Sequence, residues 1–478
     1  MTNMRNFYIN GQWVAPSTPS DFDVINPSNE EVCATISLGS QADTDAAVAA
    51  AKAAFPAWAA VPQAEKLALL QKLLEEYMKR AGDLAEAMSL EMGAPMDLAK
   101  TSQVGAGAWH ISNFIAAFKD FKFDRMLSEA APDDRILMEP IGVCAMITPW
   151  NWPMNQVTLK CIPAMAVGCT MILKPSEIAP LSSIVFSEIM DAIGLPAGVY
   201  NMVNGDGPGV GTQLSGHADV DMVSFTGSTR AGTLITKNAA ATVKRVALEL
   251  GGKGANIIYA DADEKAVKRG VLHCMQNSGQ SCNAPTRMLV ERSVYDAAVK
   301  TAAEVADAIS VGPASAEGRH IGPVVSELQY NKIQKMIKVG MDEGARLVAG
   351  GLGRPAGLNR GYYVRPTVFA DVSNDMEIAQ QEIFGPVLSI IPFDTEEQAL
   401  EMANDTVYGL TNYVQTQDHV KANRAARALR SGMVEINGTS RGAGAPFGGY
   451  KQSGSGREGG VWGLDDFLEV KSVSGWVE

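Results

Sequence analysis

Hydrophobic positions near the start of the chain recur at the spacing of amphipathic helices. The Ala-rich segment Asp45–Ala60 predicts one helix, for which Asp43 or Thr44 is a suitable N-cap. Leucines at helical spacing predict a longer second helix, from Ala64 to about Ala81. The first part of the chain is therefore expected to be mainly helical.

From residue 141 the pattern changes to short apolar runs that alternate with helical runs. The apolar runs predict strands over Val143–Ile147, Thr170–Lys174, Val199–Val203 and Val220–Phe225. Helices are predicted from Asn155, over Leu181–Ile193 and after Gly227. This alternation predicts a parallel sheet covered by helices on both faces. Ligands of such sheets bind at the carboxyl ends of the strands, so the loops after Ile147, Leu173 and Phe225 are the candidate sites.

A second α/β pattern extends from residue 251 to 440. It includes predicted strands at Arg287–Glu291, Val387–Phe393 and Val434–Asn437, a helix at Val294–Ile309, and then the Gly-rich segment Gly442–Gly460. Two further segments, Arg135–Glu139 and Asp465–Val477, alternate like exposed strands, and we expect them to pair across a subunit interface. A chain of 478 residues is long enough for two or three folding units.

Composition excludes several classes of protein. A net charge of −13 and a pI near 5.0 give no electrostatic footprint for nucleic acid. The longest apolar stretch, Cys161–Leu173, is shorter than the roughly 20 residues that cross a bilayer. The segment MTNMRNFYINGQWV has no apolar run, so a secretory signal is not expected. Six cysteines without a CxxC pair, and five histidines without HExxH, favour reduced thiols in the cytoplasm and no metal site.

Cys282, in QNSGQSCNAPTR, is a candidate nucleophile. Its neighbours Ser278, Gly279 and Ser281 are small and leave room for a substrate beside the sulfur. A buried structural thiol is the commoner role of a single cysteine, and both interpretations stay open on this motif alone.

Two polar residues at strand ends are candidates for acid–base and oxyanion chemistry. Glu249 ends an apolar strand in VALELGGKGAN, where burial would raise its pKa toward that of a general base. A salt-bridged strand end is the alternative. Asn151, in MITPWNWPMN, follows a predicted strand and has an amide that can donate to an oxyanion. An Asx turn between the prolines is the alternative there.

Three segments are candidates for a dinucleotide. In NGDGPGVG, Gly205–Gly211, the spacing departs from GxGxxG and Pro208 would disturb a helix, so a tight connection is predicted. FTGSTRAG is preferred, because Gly227 allows close approach and Ser228 can cap the helix or bind phosphate. KPSE, Lys174–Glu177, places an acidic group where ribose hydroxyls bind, with a solvated i, i+3 ion pair as the alternative.

Taken together, these segments resemble the aldehyde dehydrogenase superfamily of the NAD(P)-dependent, hydrolytic, non-acylating type. PWNWP, LKPSE, FTGS, LELGGK, GQSC, EIFGP and PFGGYKQSGSGRE occur in the family order. The resemblance extends from YINGQW near the start to the tail, and seven motifs in one order are highly specific.

The resemblance implies an α/β fold with three parts. These are a Rossmann-like dinucleotide-binding domain (1–118 and 141–250), an α/β catalytic domain (251–440) and a small β oligomerisation element (119–140 and 453–478). It also implies a homo-oligomer, either a dimer or a tetramer built as a dimer of dimers, which agrees with the two strand-like segments.

The resemblance also implies roles for individual residues. Cys282 resembles the nucleophile, Glu249 the base for the deacylating water, and Asn151 with the Cys282 N–H the oxyanion hole; Lys160 and Glu458 match a proton relay. The implied cofactor contacts are Ile147, Trp150, Lys174, Ser176, Glu177, Gly207, Phe225, Gly227, Ser228, Leu250, Glu382 and Phe384. The implied substrate contacts are Trp152, Gln156, Leu159, Ser281, Asn283, Arg441 and Phe447.

These roles predict oxidation of an aldehyde to the acid, through a Cys282 thioester that water hydrolyses. Glu177 favours NAD over NADP as the cofactor. Arg441 stands where relatives carry an aromatic residue, so a polar or carboxylate-bearing, semialdehyde-like substrate is our hypothesis, with a surface ion pair as the alternative. Two other functions are a CoA-acylating dehydrogenase, whose members usually lack the base at Glu249, and a non-catalytic binding protein on the same scaffold.

Overall fold

The structure, a computed structural model, describes residues 3–477. Within that range the strands are β1 (Phe7–Ile9), β2 (Gln12–Val14), β3 (Asp21–Asn26), β4 (Glu31–Ser37), β5 (Asp124–Ser128), β6 (Ala131–Pro140), β7 (Val143–Ile147), β8 (Thr170–Lys174), β9 (Tyr200–Met202), β10 (Met222–Thr226), β11 (Arg245–Glu249), β12 (Ala255–Ile258), β13 (Arg287–Glu291), β14 (Arg346–Ala349), β15 (Thr367–Ala370), β16 (Val387–Phe393), β17 (Thr411–Gln415), β18 (Met433–Ile436), β19 (Gly454–Ser455) and β20 (Leu468–Ser474).

The helices of the same residues alternate with the strands in the middle of the chain. They are α1 (Gln41–Ala59), α2 (Gln63–Lys79), α3 (Ala81–Met92), α4 (Met96–Leu98), α5 (Val104–Lys119), α6 (Pro153–Val167), α7 (Leu181–Ala192), α8 (Thr212–Gly216), α9 (Thr229–Ala239), α10 (Ala266–Met275), α11 (Tyr295–Asp307), α12 (Glu327–Asp342), α13 (Glu377–Gln380), α14 (Glu396–Asn404), α15 (His419–Ala428) and α16 (Gly460–Asp465).

The first sheet has the strand order β19-β11-β10-β7-β8-β9-β1-β2. Its central strands β11, β10, β7, β8 and β9 are parallel, while the strands added at both ends are antiparallel. Every residue of β7, β8 and β10 is buried, as expected for strands covered on both faces. The strand order reverses between β7 and β10, so a crevice opens at their carboxyl ends.

The second sheet has the order β14-β15-β16-β13-β12-β17-β18, and all its pairs are parallel except β14 with β15. The predicted α/β fold class is confirmed, and β7, β8, β13 and β16 occupy the residues predicted for them. The segment that contains Cys282, the candidate nucleophile, connects the end of α10 to the start of β13. Cys282 therefore lies between the two sheets.

Strands β20, β6 and β5 form a separate antiparallel sheet, in which Leu468 lies opposite Pro140. The strand predicted from residue 465 begins later, because residues 460–465 form α16 after two glycines of positive φ. Strand β19, at residues 454–455, belongs instead to the first sheet. The domain boundaries given above stay a prediction. Residues 454–455 and 460–465, which fall in the predicted oligomerisation element, lie outside the three-stranded sheet.

The N-cap predicted for α1 is wrong, and the reason is a capping box. Ser40, in an extended conformation, is the N-cap: its Oγ accepts from the backbone N–H of Asp43. The Asp43 carboxylate in turn accepts from the Ser40 N–H at 2.8 Å. Asp43 therefore occupies the third helical position, where a carboxylate also favours the helix dipole.

The tight connection predicted at Gly205–Gly211 is also wrong. Residues 207–211 form a wide helical turn that continues into α8, and the Asp206 side chain caps it by accepting from the Gly209 N–H. Pro208 lies in the first turn, where its missing N–H leaves no hydrogen bond unmade. Within residues 3–477, no helix is both long and apolar enough to span a membrane.

Candidate active site

The segment before Cys282 is a strained turn that requires glycine. Asn277, Ser278 and Gly279 all have positive φ, at 52°, 56° and 72°. A Cβ on Gly279 would lie 2.1 Å from the carbonyl carbon of Gly385, so no other residue fits this approach. The GQSC turn and the EIFGP loop are therefore packed backbone against backbone.

Buried hydrogen bonds hold this turn in place. Ser278 Oγ donates to the Gly322 carbonyl at 2.7 Å, and Gln280 Oε1 accepts from the Val325 N–H at 2.9 Å. Trp152 Nε1 donates to Ser281 Oγ at 2.8 Å, on the substrate side. Such strain persists only where neighbouring structure fixes it, and it is typical of functional sites.

Two cavities meet at Cys282. One, of about 210 Å³, lies at the crevice of the first sheet and is lined by residues that include Trp150, Asn151, Gly227, Ser228, Leu250, Glu382 and Phe384. The other, of about 260 Å³, is lined by residues that include Trp152, Gln156, Leu159, Asn283, Arg441, Phe447 and Glu458. Cys282 lines both, so ligands in the two cavities would each lie next to this residue. A larger cavity of about 770 Å³, between α10 and residues 308–322, contains none of the predicted site residues.

Burial strongly disfavours the thiolate of Cys282. Burial, followed by the charges of Glu382 and Glu249, raises its pKa to about 12, against the opposing effects of Arg441 and the Asn283 N–H. Cys282 as a whole residue is partly buried. The thiol form therefore predominates near neutral pH, and a nucleophilic role requires a base.

Glu249 has the environment of such a base. It ends β11, is 4% exposed, and neither carboxyl oxygen has a hydrogen-bond partner within residues 3–477. Burial, then Glu458, raises its pKa well above the ordinary value, while Lys160 and Arg457 oppose this. The alternative of a salt-bridged strand end is not what the described residues show.

Lys160 and Glu458 form a buried ion pair beside Glu249. Lys160 Nζ lies 2.5 Å from Glu458 Oε1, with the lysine side chain 1% exposed. Glu458 Oε2 has no hydrogen-bond partner among the described residues. The pair therefore places one cation and one free carboxyl oxygen next to the candidate base.

The Asn151 side chain is fixed, with one amide hydrogen left over. Its Nδ2 donates to the Gln280 carbonyl at 3.0 Å, while its backbone carbonyl accepts from Gln103 and Asn277. No Asx turn forms. An amide nitrogen carries two hydrogens, so the second is available in the cavity that Asn151 shares with Cys282.

The predicted dinucleotide contacts lie at the carboxyl edge of the first sheet. Ser228 Oγ accepts from the Ala231 N–H at 3.3 Å, which confirms Ser228 as the N-cap of α9. The Trp150 and Phe384 rings meet edge to face with centroids 5.4 Å apart, and Phe384 has a φ of 60°. The other predicted positions follow or end neighbouring parallel strands at the same edge: Ile147, Ser176, Gly207, Phe225, Gly227 and Leu250.

The KPSE segment contains the ion pair that was the alternative to ribose binding. Lys174 Nζ lies 3.5 Å from Glu177 Oε2, with the lysine buried and the glutamate partly exposed. Lys174 stands opposite Ile147 in the β7–β8 register, and burial lowers its pKa while Glu177 and Asp206 oppose this. Both polar groups lie at the same edge as the α9 N-terminus, so an ion pair between Lys174 and Glu177 is compatible with a ribose contact by the same residues.

The substrate-side cavity is polar and aromatic, and Arg441 is not free in it. Arg441 Nε lies 3.4 Å from Glu435 Oε1, and the guanidinium stacks 4.7 Å from the centroid of the Phe447 ring. The paired arginine was the alternative to substrate binding, and the structure contains that pair. His110, which sequence reasoning missed, also lines the cavity and has its Nε2 2.8 Å from Asn155 Oδ1.

Sequence reasoning also missed two residues of the first cavity, Gln329 and Lys332. Gln329 Nε2 donates to the Phe384 carbonyl at 2.7 Å, and Lys332 is close enough to Glu382 to interact electrostatically. Both lie on α12, which Ser326 caps. A Ser-x-x-Gln start was visible in the sequence, but nothing in it placed this helix beside the crevice. Residues 3–477 contain no cluster of three or more His, Cys, Asp or Glu side chains arranged for a metal.

Comparisons with known proteins agree over nearly the whole chain. The family model "Aldehyde dehydrogenase family" matches residues 13–473. A 3-succinoylsemialdehyde-pyridine dehydrogenase from a Pseudomonas species is 49% identical over 478 residues, which cover 100% of this chain and 99% of the relative.

Solved structures match equally well. An aldehyde dehydrogenase from Bartonella henselae superposes with a TM-score of 0.99 at 59% identity, covering 100% of both chains. A cysteine-to-alanine mutant of aldehyde dehydrogenase C from Pseudomonas syringae, in complex with NAD+ and octanal, has a TM-score of 0.98 at 46% identity, covering 99% of this chain and 97% of that one. A betaine aldehyde dehydrogenase from Staphylococcus aureus, in complex with NAD+, has a TM-score of 0.95 at 37% identity, covering 98% and 95%.

Alkylation with iodoacetamide is expected to modify Cys282 and Cys33, but not the four fully buried cysteines. Because only the thiolate reacts, and burial raises the pKa of Cys282 to about 12, its labelling rate should rise about tenfold per pH unit between pH 7 and 9. NAD should protect Cys282 and leave Cys33 unchanged, and peptide mapping measures both. Preferential labelling of a buried cysteine, or no pH dependence at Cys282, would contradict the site.

Proposed function

Because the chain belongs to the aldehyde dehydrogenase family, we propose that it oxidises an aldehyde to the carboxylic acid with NAD, through a thioester on Cys282. One observation carries this mechanism: Cys282 lines both the cavity at the crevice of the first sheet and the cavity of about 260 Å³, which is called the tunnel below. Solved relatives bind NAD+, and one of them binds octanal as well.

In the first step the Cys282 sulfur bonds to the aldehyde carbon. Glu249 takes up the thiol proton, because it is the unpaired buried carboxylate next to the site. The free Asn151 N–H and the backbone N–H of Cys282 stabilise the resulting oxyanion. Bound NAD supplies the hydride acceptor that makes the adduct a thioester.

In the second step water replaces the sulfur. Glu249 removes a proton from the water as its oxygen bonds to the acyl carbon, and the electron pair of the broken C–S bond returns to Cys282. The Lys160–Glu458 pair lies beside Glu249. In this proposal the pair is a proton relay, which exchanges protons with Glu249.

The residues at the crevice fit a dinucleotide. The α9 N-terminus, capped by Ser228, offers free N–H groups to the pyrophosphate, while Lys174 and Glu177 suit the hydroxyls of the adenosine ribose. Glu177 also disfavours a 2′-phosphate, so NAD is the preferred cofactor and NADP the alternative. Around the nicotinamide ribose we place Glu382 and Phe384, together with Gln329 and Lys332, which line the same cavity.

Water, rather than CoA, is proposed as the acyl acceptor. The supporting observation is a buried carboxyl at Glu249 with no hydrogen-bond partner among the described residues, which is ready to activate water. A CoA-acylating enzyme would not need this base. A non-catalytic role for the scaffold would not explain why nucleophile, base and oxyanion donor are all in place.

The proposed substrate is an aldehyde with a polar distal group, of the semialdehyde type. The Pseudomonas relative is named for such a substrate, one that contains pyridine. Arg441 already pairs with Glu435 and stacks on Phe447, so its charge is balanced. It therefore suits a hydrogen-bond acceptor at the far end of the substrate better than it suits an isolated carboxylate.

A second copy of this chain is the proposed partner, in a dimer or tetramer. The outer strands β5 and β20 expose apolar side chains, including Leu127 and Val470, and β18 is an edge strand of the second sheet. Exposed apolar edges of this kind pair readily with another strand. A cytosolic location belongs to the same proposal, because the reaction needs Cys282 as a reduced thiol; cell fractionation would test it.

Two variants are expected to stop the reaction at different stages. Glu249→Gln should form up to one equivalent of NADH more slowly than the wild type, because the Cys282 thiol loses its base, and should then stall as acyl-enzyme, because no base activates water. Asn151→Ala should slow NADH formation itself by about 10²–10³-fold, the typical effect of one oxyanion donor. Stopped-flow absorbance and intact-protein mass measure both stages, and circular dichroism checks folding.

The same assay decides between the alternative functions. Wild-type protein is tested against a panel of aldehydes with NAD or NADP, in the presence and absence of CoA. Free acid as the product supports hydrolysis, while acyl-CoA would contradict it. If no aldehyde gives NADH, the proposed aldehyde dehydrogenase activity is rejected.

Arg441 is expected to set the preference between polar and plain aldehydes. The double variant Arg441→Met/Glu435→Gln removes both charges without leaving one of them buried and unpaired. Its kcat/KM for a semialdehyde should fall about tenfold relative to an unsubstituted alkanal, since one hydrogen bond from a charged donor is lost. The single variant Glu435→Gln is the control, because it keeps the donor. An unchanged ratio in the double variant would remove Arg441 from substrate recognition.

The assembly should depend on the edge strand β20. Val470→Lys places a charge on a side chain that is 64% exposed at this edge, and should reduce the molar mass measured by light scattering. Val420→Lys, at a 70% exposed position on α15, should leave the mass unchanged. A monomeric wild-type protein, or an oligomer that Val470→Lys leaves intact, would contradict this interface.

A further inference from the structure

We propose that Asp466 is the outlet of the proton path, receiving protons from Glu249 by way of Glu458 and releasing them to solvent. This inference rests on the proposed function, because it concerns protons that the proposed reaction produces. It gives a role to a carboxyl group just after α16, outside the nucleophile, base and tunnel described above.

The reaction must export protons from a buried site. Aldehyde, NAD+ and water give carboxylate, NADH and two protons. One proton leaves from the Cys282 thiol and one from the water whose oxygen joins the acyl carbon, while the second proton of that water restores the thiol when the acid product ionises. Both protons pass to Glu249, which is 4% exposed. Each turnover therefore requires Glu249 to be deprotonated again by a group nearer to solvent.

The inner part of this path is the Lys160–Glu458 pair. The negative charge of Glu458 disfavours ionisation of Glu249, so Glu458 lies near enough to Glu249 to exchange protons with it. Glu458 Oε1 binds Lys160, and Oε2 has no hydrogen-bond partner within residues 3–477. That oxygen is available to pass a proton onward, directly or through water.

Asp466 occupies the next position outward. It directly follows α16 as the C-cap, and its carboxyl packs against the backbone two residues before Glu458, since a Cβ on Gly456 would lie 2.9 Å from Asp466 Oδ2. Unlike Glu249 and Glu458, the residue is only partly buried. No hydrogen bond to its carboxyl group forms among the described residues, so both oxygens are free to exchange protons.

The charges around Asp466 tune it for this exchange. Glu458, on the preceding loop, faces it together with Lys160 from α6, Arg245 from β11 and Arg457 from the loop. Burial, followed by the charge of Glu458, raises the pKa of Asp466 to about 6. A group with a pKa near the working pH both accepts and releases protons readily.

Beside Asp466, at the surface, lies the ion pair of Arg245 and Glu469. Arg245 donates to the backbone carbonyls of Asp466 and Leu468, and its other nitrogen lies 2.8 Å from Glu469. These bonds fix the backbone of Asp466 without using its carboxyl group. Asp466→Asn therefore removes the titrating group and leaves its anchorage intact.

The test compares Asp466→Asn with its neighbour Asp465→Asn, an exposed position outside the path. Acyl-enzyme is formed with aldehyde and NAD, quenched in acid at short times and quantified by intact-protein mass. In Asp466→Asn the decay of the acyl-enzyme should slow about tenfold, a modest loss for one proton-transfer group, with NADH formation in the first turnover retained. Asp465→Asn should match the wild type.

Two readouts separate proton transfer from a structural role. Small buffer acids such as imidazole should restore the Asp466→Asn rate with increasing concentration, and Asp466→Glu should retain it. In the wild type, kcat should fall as the pH drops through about 6, because protonated Asp466 no longer accepts a proton; in Asp466→Asn this limb should be lost.

If the acyl-enzyme of Asp466→Asn decays at the wild-type rate, Asp466 is not the proton outlet. A slow decay that buffer does not accelerate would also contradict this role. Either result leaves the proposed function standing, because wild-type NADH and acid formation are measured in the same experiment. Absence of acyl-enzyme in the wild type would instead reject the proposed thioester, and the outlet with it.

Discussion

The site depends on one close approach between the two halves of the molecule. Gly252, just beyond the end of β11, packs against the Cys282 backbone so tightly that a Cβ there would lie 2.4 Å from the Cys282 carbonyl oxygen. The N–H of the same residue donates to Glu382 Oε1 at 2.9 Å. One glycine thus joins the strand that carries the proposed base to the loop that carries the proposed nucleophile and to a proposed cofactor contact. A side chain here would push the base and the sulfur apart, and catalytic groups tolerate errors of only about an ångström.

Around this junction the protein buries charge that a purely structural core would avoid. Glu249, Glu458 and Lys160 are all nearly inaccessible, and only the last two are paired. Removing an ion from water costs several kcal/mol, and a pair recovers this only when its geometry is good. An unpaired carboxylate beside that pair is therefore destabilising on its own account. Its presence is understandable if the site needs a group whose pKa is raised into the range of a general base.

The sequence was a good guide to the elements and a poorer guide to their contacts. Strands such as Val143–Ile147 could be predicted to the residue, because buried parallel strands are continuous apolar runs bounded by breakers. Cys282, Glu249 and Asn151 could be named from motifs, yet for each of them the motif alone left a structural role open. The Ser40 cap, the helical turn at Gly207 and the cavity contacts of Gln329 and Lys332 could not be read in advance. They depend on a local hydrogen bond or on the packing of elements far apart in sequence.

Arg441 shows the same limit in the tunnel. Its position was readable by counting from PFGG, but its electrostatic state was not, because Glu435 lies on β18 and meets it only in the folded protein. The guanidinium also lies over the Phe447 ring, 4.7 Å from its centroid, so both an ion pair and a cation–π contact hold it. A balanced, oriented arginine selects a partner by hydrogen-bond geometry more than by charge. In the proposed function, substrate choice would therefore depend on a pair contributed from two segments, whereas the chemistry proposed at Cys282 would depend on backbone contacts that leave little room for variation.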